Sequence, residues 1–434
     1  MKVAIVGFAI EGRANYAYFK KLGAEITICN ETSVDTPDGV DSQIGEKYLD
    51  NLDRFDIIVR TAGLKPSKIL DKNPGVEDKI TTTINEFFKA SPTKNIIGVT
   101  GTKGKGTTST IISKILEANG RKVFLAGNYG YSPLEILDEI KPEDYVVLEL
   151  SSFQLMDLRY SPKTAVCVLV EPEHLDWHKD LDEYIGAKQN LFLHQSPDDM
   201  AVFFNQSPLS QKIASVSKGH KFSYFDENLA HVSNEQLMLG DKIICDVSEI
   251  KLPGKHSYQN ICAAITATHN KVQDIEVFRQ AIINIDPLPY RIQLVSTKNG
   301  VKYYNDSFSS NPASTIAAID AIETSKILIV GGKEKNNPVD ELAHKIAESS
   351  ETIKKVIIIG ELSDKIATCL EKLNFNKFVS LGTNVDMAKI VATASENAVS
   401  GDSIILSPGS SSFDMFKNFQ DRGDQFNEAV KNYE

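Results

Sequence analysis

The sequence predicts an α/β protein of three domains. These are an N-terminal Rossmann-like domain, a central α/β domain of P-loop type with a small antiparallel β flap, and a C-terminal Rossmann-like domain. Three observations carry this expectation. Short apolar runs recur along the chain and alternate with segments of helical period, the pattern of parallel strands covered by helices. Polar, proline-containing stretches at residues 90–94 and 287–289 interrupt that alternation. Residues 201–250 switch to short runs separated by turn-forming residues. The expected domains are residues 1–92, 93–287 and 288–434.

Length and composition agree. A chain of 434 residues exceeds one ordinary core, and 41% hydrophobic with 24% charged residues is a globular composition. A net charge of −11 argues against a broad nucleic-acid partner, which needs a basic face, and leaves an anionic small ligand open. Five scattered cysteines with no C-x-x-C pair suggest neither a zinc site nor a disulfide framework. No apolar run reaches membrane-spanning length, and Met1-Lys2-Val3-Ala4 leads straight into a strand. No membrane partner and no signal peptide are expected, and a reducing cytoplasm is the expected location.

The first domain opens with a strand at Lys2–Val6, a turn Gly7-Phe8-Ala9-Ile10-Glu11-Gly12, a helix over residues 12–22 and a second strand over 25–29. Ala9 stands where a dinucleotide turn has its middle glycine, and Asn30, Glu31 and Thr32 follow the second strand. A nucleotide-like ligand is a better expectation there than a dinucleotide cofactor. Residues 56–60 give a further strand, followed by Thr61-Ala62-Gly63.

The second domain is organised by residues 96–110. An apolar run, Ile96–Thr100, meets a turn of Gly101, Thr102, Lys103 and Gly104, then a helix over 105–119. A strand feeding a glycine turn and a helix N-terminus presents backbone N–H groups and a partial positive charge to phosphate. Lys105 supplies a full cation for the distal phosphates, and Thr107 or Thr108 a hydroxyl for a metal. The loop departs from the general P-loop pattern in its glycine spacing and in Gly106, which stands where a hydroxyl residue is usual. Apolar strands are expected at 123–126, 145–148 and 165–170, and Glu149 ends the second of these, where open α/β sheets bind ligands. A carboxylate there, beside a phosphate loop, most simply holds Mg²⁺. The third runs into Glu171-Pro172-Glu173-His174-Leu175-Asp176. Residues 221–225, 236–239 and 242–245 read as strands of the flap, and helices are expected over 257–271 and 275–285. In the third domain, strands are expected at 302–304, 326–330, 355–359, 378–381 and 403–406. Polar loops at 305–307, 331–335 and 407–412 follow three of them and should gather at the carboxyl edge of a parallel sheet.

In combination these motifs resemble the Mur ligase family over essentially the whole chain. The most specific pieces are Gly101-Thr102-Lys103-Gly104-Lys105, Glu149-Leu150-Ser151-Ser152-Phe153-Gln154-Leu155 and Lys417-Asn418-Phe419-Gln420-Asp421-Arg422-Gly423, of which the last two favour the D-glutamate-adding member. The resemblance implies an ATP-driven amide synthesis from UDP-MurNAc-L-Ala and D-glutamate through an acyl phosphate, by a monomer. It implies ATP contacts from Gly101, Thr102, Lys103, Gly104, Lys105, Gly106, Thr107, Asn260, Arg291 and Asp306. It implies two Mg²⁺ ions, one on Thr107 and Glu149, the other on His174 and on Lys188 carried as an N6-carboxylated (carbamate) lysine. Without the resemblance, Lys188 reads as a surface helix lysine. Lys105, Glu149, His174 and Lys188 are thus the implied catalytic residues. The UDP substrate is assigned Ile10, Glu11, Asn30, Glu31, Thr32 and Asn128, and D-glutamate is assigned Lys335, Ser412 and Phe419. Phe308 and Ser310 replace the lysine and threonine of better-known members. A ligase for another amino acid such as L-glutamate, and a non-catalytic nucleotide-binding module, are the alternatives.

Overall fold

The computed structural model describes residues 1–434 except 129, 253, 287, 335–338 and 434, and Lys255 by its backbone alone. The chain packs as two compact units, Met1–Ile250 with His256–Ile285, and Lys251–Lys255 with Asp286–Glu434. The expected limit at residue 287 lies outside the described residues. The expected limit at residue 92 lies inside the first unit, between two sheets.

The first sheet holds β1 (Lys2–Val6), β2 (Glu25–Asn30), β3 (Asp41–Ile44), β4 (Ile57–Arg60) and β5 (Ile80–Thr81), ordered β3-β2-β1-β4-β5 with parallel pairing. Val3, Ala4, Ile5 and Val6 are fully buried, because helices cover both faces of a parallel sheet and the inner strand must be apolar throughout. The strand order reverses between β1 and β4, so the turn after β1 and the loop after β4 flank the crevice where such sheets take ligands.

The second sheet holds β6 (Ile96–Thr100), β7 (Val123–Gly127), β8 (Tyr145–Glu149), β9 (Thr164–Cys167), β10 (Met200–Phe204) and β11 (His220–Tyr224), ordered β11-β10-β9-β6-β8-β7. Strand β6 lies between β8 and β9, and its register sets Val99 against both Glu149 and Val166. Two sequence expectations are corrected here. Residues 221–225 do not belong to the flap: His220–Tyr224 pairs parallel with β10 at the sheet edge. An edge strand has one wetter side, which gave it the alternation of an antiparallel strand. The expected strand at 165–170 stops at Cys167: Val168 N makes one last bond to Thr100 O at 2.9 Å, and Leu169 then wraps the glycine turn, its O accepting the N–H of Thr102 at 2.8 Å. The flap is three antiparallel strands, β12 (Ala230–Ser233), β13 (Gln236–Leu239) and β14 (Lys242–Asp246).

The second unit carries β15 (Gln293–Lys298), β16 (Val301–Asn305), β17 (Lys326–Gly331), β18 (Ile353–Ile359), β19 (Phe378–Gly382) and β20 (Ser403–Leu406), ordered β15-β16-β20-β17-β18-β19. Only the β15–β16 pair is antiparallel. Because β16, β20 and β17 are neighbours, the three polar loops that follow them meet at one edge. Ser407 Oγ donates to Asp306 Oδ2 at 2.6 Å, and Lys333 N donates to Ser411 O at 2.8 Å.

Candidate active site

The glycine turn after β6 is the best-built part of the first unit. Gly101 (φ +149°) and Gly104 (φ +91°) take backbone conformations that side-chain residues avoid. Gly104 also caps the helix Lys105–Ala118, and a Cβ placed on it would lie 2.1 Å from Asn260 Oδ1. Asn260, expected at the nucleotide, therefore rests on the loop itself, and its Oδ1 accepts from the Thr108 hydroxyl at 3.4 Å. The loop is tied down from the β9 side as well. Thr102 Oγ1 donates to Glu171 O at 2.9 Å, accepts from Glu171 N at 2.9 Å and contacts the Tyr184 hydroxyl at 2.7 Å. Lys103 pairs with Glu171 at 2.9 Å. Lys105 curls over the turn, its Nζ donating to Gly101 O (3.2 Å) and Thr102 O (2.9 Å). Gly106 is buried and Thr107 half-buried in the first helical turn.

Glu149 arrives beside this loop at the end of β8 and is 4% exposed. Its side chain accepts from Asn128 Nδ2 at 3.1 Å and its carbonyl accepts Asn128 N at 2.8 Å, so Asn128 is fixed to it twice. A buried carboxylate set against a neutral amide fits a hard, oxygen-seeking cation. Among the described residues no three His, Cys, Asp or Glu side chains gather as a metal cage, so such an ion would take the rest of its ligands from hydroxyl, phosphate and water.

Lys188 is 1% exposed, contrary to the base rate for a helix lysine. The helix Leu181–Leu193 turns Tyr184 and Lys188, four residues apart, onto one face. Lys188 Nζ lies 4.5 Å from the Tyr184 ring centroid and donates to Gly101 O at 2.8 Å. Burial first, and the Lys105 ammonium second, pull its pKa down to about 7. His174 is exposed, takes a left-handed backbone (φ +57°) and packs on Phe153 at 4.8 Å between ring centroids.

The sequence reading passed over His178. It is buried, bonds Ser152 Oγ through Nε2 at 3.0 Å and sets Nδ1 3.5 Å from Glu183. Desolvation holds its pKa below the ordinary value, with Glu183 opposing. Its N–H also bonds the His174 carbonyl at 2.9 Å, so it fixes the turn that carries His174. The spacing of four from His174 was a visible signal.

At the edge of the first sheet, Asn30 Oδ1 accepts Phe8 N (2.9 Å) and Asn30 Nδ2 donates to Thr32 O (2.8 Å). Glu11 Oε2 accepts Ala62 N at 2.8 Å, joining the loops on either side of the crevice. Ile10 is 80% exposed, and Glu31 and Thr32 are also open to solvent.

The second unit holds the remaining expected residues. Asp306 is buried and accepts from Ser309 Oγ (2.6 Å), Ser407 Oγ (2.6 Å) and Ile292 N (3.2 Å), while burial outweighs these bonds and lifts its pKa to about 6. The Arg291 guanidinium stands 3.8 Å from the Phe308 ring centroid. Phe419 packs edge-on against Phe308, and its carbonyl accepts from Ser307 Oγ at 2.8 Å. Ser412 is buried, and Lys335 lies outside the described residues.

Family models match this chain over residues 99–268, described as the Mur ligase middle domain, and over residues 290–410, described as Mur ligase, glutamate ligase domain. Among curated proteins, a UDP-N-acetylmuramoylalanine--D-glutamate ligase of Clostridium kluyveri is 37% identical over 448 residues, covering 99% of this chain and 96% of its own. The protein of that name from Acetivibrio thermocellus is 37% identical over 458 residues, covering 100% and 97%. Among solved structures, the UDP-N-acetylmuramate-alanine ligase of Thermotoga maritima shares the fold at a TM-score of 0.62 and 14% identity, over 99% of both chains. Mycobacterium tuberculosis folylpolyglutamate synthase complexed with ADP shares it at a TM-score of 0.59 and 13% identity, over 81% of this chain and 93% of that one.

Proposed function

This chain belongs to the Mur ligase family, and from that premise we infer that it joins D-glutamate to UDP-N-acetylmuramoyl-L-alanine at the expense of ATP, in the assembly of peptidoglycan precursors. The substrate carboxylate attacks the γ-phosphorus of ATP, the bond to the bridging oxygen breaks, and ADP leaves. The amine of D-glutamate then adds to the acyl phosphate carbon. The tetrahedral species loses phosphate and a proton to give the amide.

Phosphoryl transfer is mostly positioning and charge neutralisation. The amides of residues 101–107 and the Lys105 ammonium neutralise the phosphates, with Asn260 holding the loop's shape from behind. Thr107 and Glu149 would hold one Mg²⁺, and His174 with Lys188 a second, which when bound would supply positive charge to the phosphate oxygens. Lys188 carries the reading further than any other residue. Its ammonium is buried against the glycine turn, donating to Gly101 O at 2.8 Å, and that burial favours the neutral amine, the form that adds CO₂ to become a carbamate and so an oxygen ligand.

The UDP moiety is placed at the edge of the first sheet, on Ile10, Glu11, Asn30, Glu31 and Thr32, with Asn128 toward the acyl end. Arg291 and Asp306 are assigned to the nucleotide, and Lys335, Ser412 and Phe419 to D-glutamate. Phosphate release from ATP with UDP-MurNAc-L-Ala and either glutamate enantiomer tests the assignment. Release with D-glutamate alone supports it. Release with L-glutamate identifies a Mur-type ligase of other specificity, and ATP binding without turnover identifies a non-catalytic module.

A further inference from the structure

Arg60 is a fully buried charge that the reaction as described does not use. It ends β4, its side chain is 0% exposed, and every N–H of its guanidinium has an acceptor. Nε and Nη2 grip the two oxygens of Asp157 at 2.7 and 2.6 Å. Nη2 also reaches Phe153 O at 3.0 Å. Nη1 reaches Leu64 O (3.0 Å), Thr61 O (3.3 Å) and Ala62 O (3.3 Å). The fourth carbonyl of that loop, Gly63 O, accepts from Trp177 Nε1 at 3.1 Å. All four carbonyls of residues 61–64 are thus held by two side chains. One of these is fastened to the segment directly after Glu149, since Phe153 and Asp157 belong to and follow the helix Ser152–Leu155. The other stands three residues from His174. The loop itself flanks the crevice of the first sheet, and Glu11 takes its Ala62 N–H.

We propose that Arg60 and Asp157 are positioning residues for the UDP-linked substrate: they lock loop 61–64 to the segment that follows Glu149, so that the crevice holding the nucleotide end stays at a fixed distance from the place where the substrate's carboxylate reacts. The proposal rests on the reading that this crevice takes the UDP moiety. A planar fork of five N–H groups can grip both oxygens of one carboxylate and reach four carbonyls, with Nη1 sharing its two N–H among three of them, and an ammonium cannot. Misplacing a reacting group by about 1 Å costs on the order of 10²-fold in rate, so a clamp at this seam acts on turnover as well as on binding.

The test uses the full chain carrying Asp157→Asn, which keeps one acceptor for the guanidinium, turns an amide N–H toward its other donor, and should fold even where Arg60→Ala does not. The expected result is a KM for UDP-MurNAc-L-Ala raised at least about tenfold, kcat lowered about 10- to 100-fold and the KM for ATP within about twofold of the parent. Backbone amides of residues 61–64 should exchange faster in the substrate-free variant. A folded variant with unchanged UDP-substrate KM and unchanged exchange overturns the proposal. So does a parallel loss of ATP binding, which would mark the pair as general scaffolding. If the parent protein fails to turn over UDP-MurNAc-L-Ala, the functional reading falls, and the exchange measurement still decides whether the clamp holds the loop.

Discussion

Replacing Gly104 with alanine tests the phosphate loop in its most constrained residue. Its φ of +91° costs an L-residue about 1–2 kcal/mol. The new Cβ also lands 2.1 Å from Asn260 Oδ1, an overlap that only movement can relieve. If Asn260 swings away, its bond from Thr108 is lost, a further ~0.5–1 kcal/mol. Together these come to about 1.5–3 kcal/mol against the phosphate-binding conformation, which converts to an ATP affinity roughly 10- to 150-fold weaker. Equilibrium binding of a non-hydrolysable ATP analogue measures this, with thermal unfolding as the control for folding. The two contributions separate in an Asn260→Ala background, where the overlap vanishes and the backbone cost stays. There the substitution should cost only about 1–2 kcal/mol, a coupling of about 0.5–1 kcal/mol between the sites. An alanine variant that binds the analogue like the parent would refute the loop assignment. An equal penalty in both backgrounds would refute the contact with Asn260.

Other substitutions address the remaining parts. Lys105→Ala should reduce phosphate release by at least about 10²-fold with little change in melting temperature, because its ammonium bonds only weakly constrain the loop; near-parental turnover would exclude it from the phosphates. Lys188→Ala should be strongly impaired and partly restored by short-chain carboxylic acids that supply the missing oxygen ligand. A folded variant that no carboxylate restores would contradict the carbamate. Asp306 gives a pH signature. Its pKa is raised from 3.8 to about 6, so between these values the folded state binds the proton more tightly than the unfolded one. Its contribution is complete below pH 3.8 and is lost as pH rises through about 6, a change of about 3 kcal/mol for two pKa units. Asp306→Asn should remove that component from the stability profile over pH 4–6 in denaturant titrations, whereas superimposable profiles would place the titration elsewhere.

The parts legible in the sequence were those whose chemistry is local. A strand, a glycine turn and a helix are contiguous, so the loop at 101–104 could be read directly, and Glu149 announced itself as a carboxylate closing an apolar run. Residues 305–307, 331–335 and 407–412 were expected at one edge, and the neighbouring order of β16, β20 and β17 brings the described ones there. What sequence could not show were interactions of long separation. Arg60 meets Asp157 across 97 residues, and nothing near either announces the other. Lys188 looked like any helix lysine because its burial depends on the sheet beneath, which helical spacing alone does not reveal. Residues 221–225 were misplaced because edge strands of parallel and antiparallel sheets share the same half-wet alternation. The short β3 was missed because it is mostly polar, and the antiparallel β15 because no position in it is fully buried, which leaves no clean alternation.

The central claim is that this site activates a carboxylate by phosphorylating it. Turnover of UDP-MurNAc-L-Ala carrying ¹⁸O in its alanine carboxylate, with D-glutamate and ATP, followed by mass analysis of the released phosphate, tests that claim most directly. One labelled oxygen in each phosphate is the expected result, because the carboxylate oxygen that attacks phosphorus leaves with it. Unlabelled phosphate alongside amide product would contradict the account.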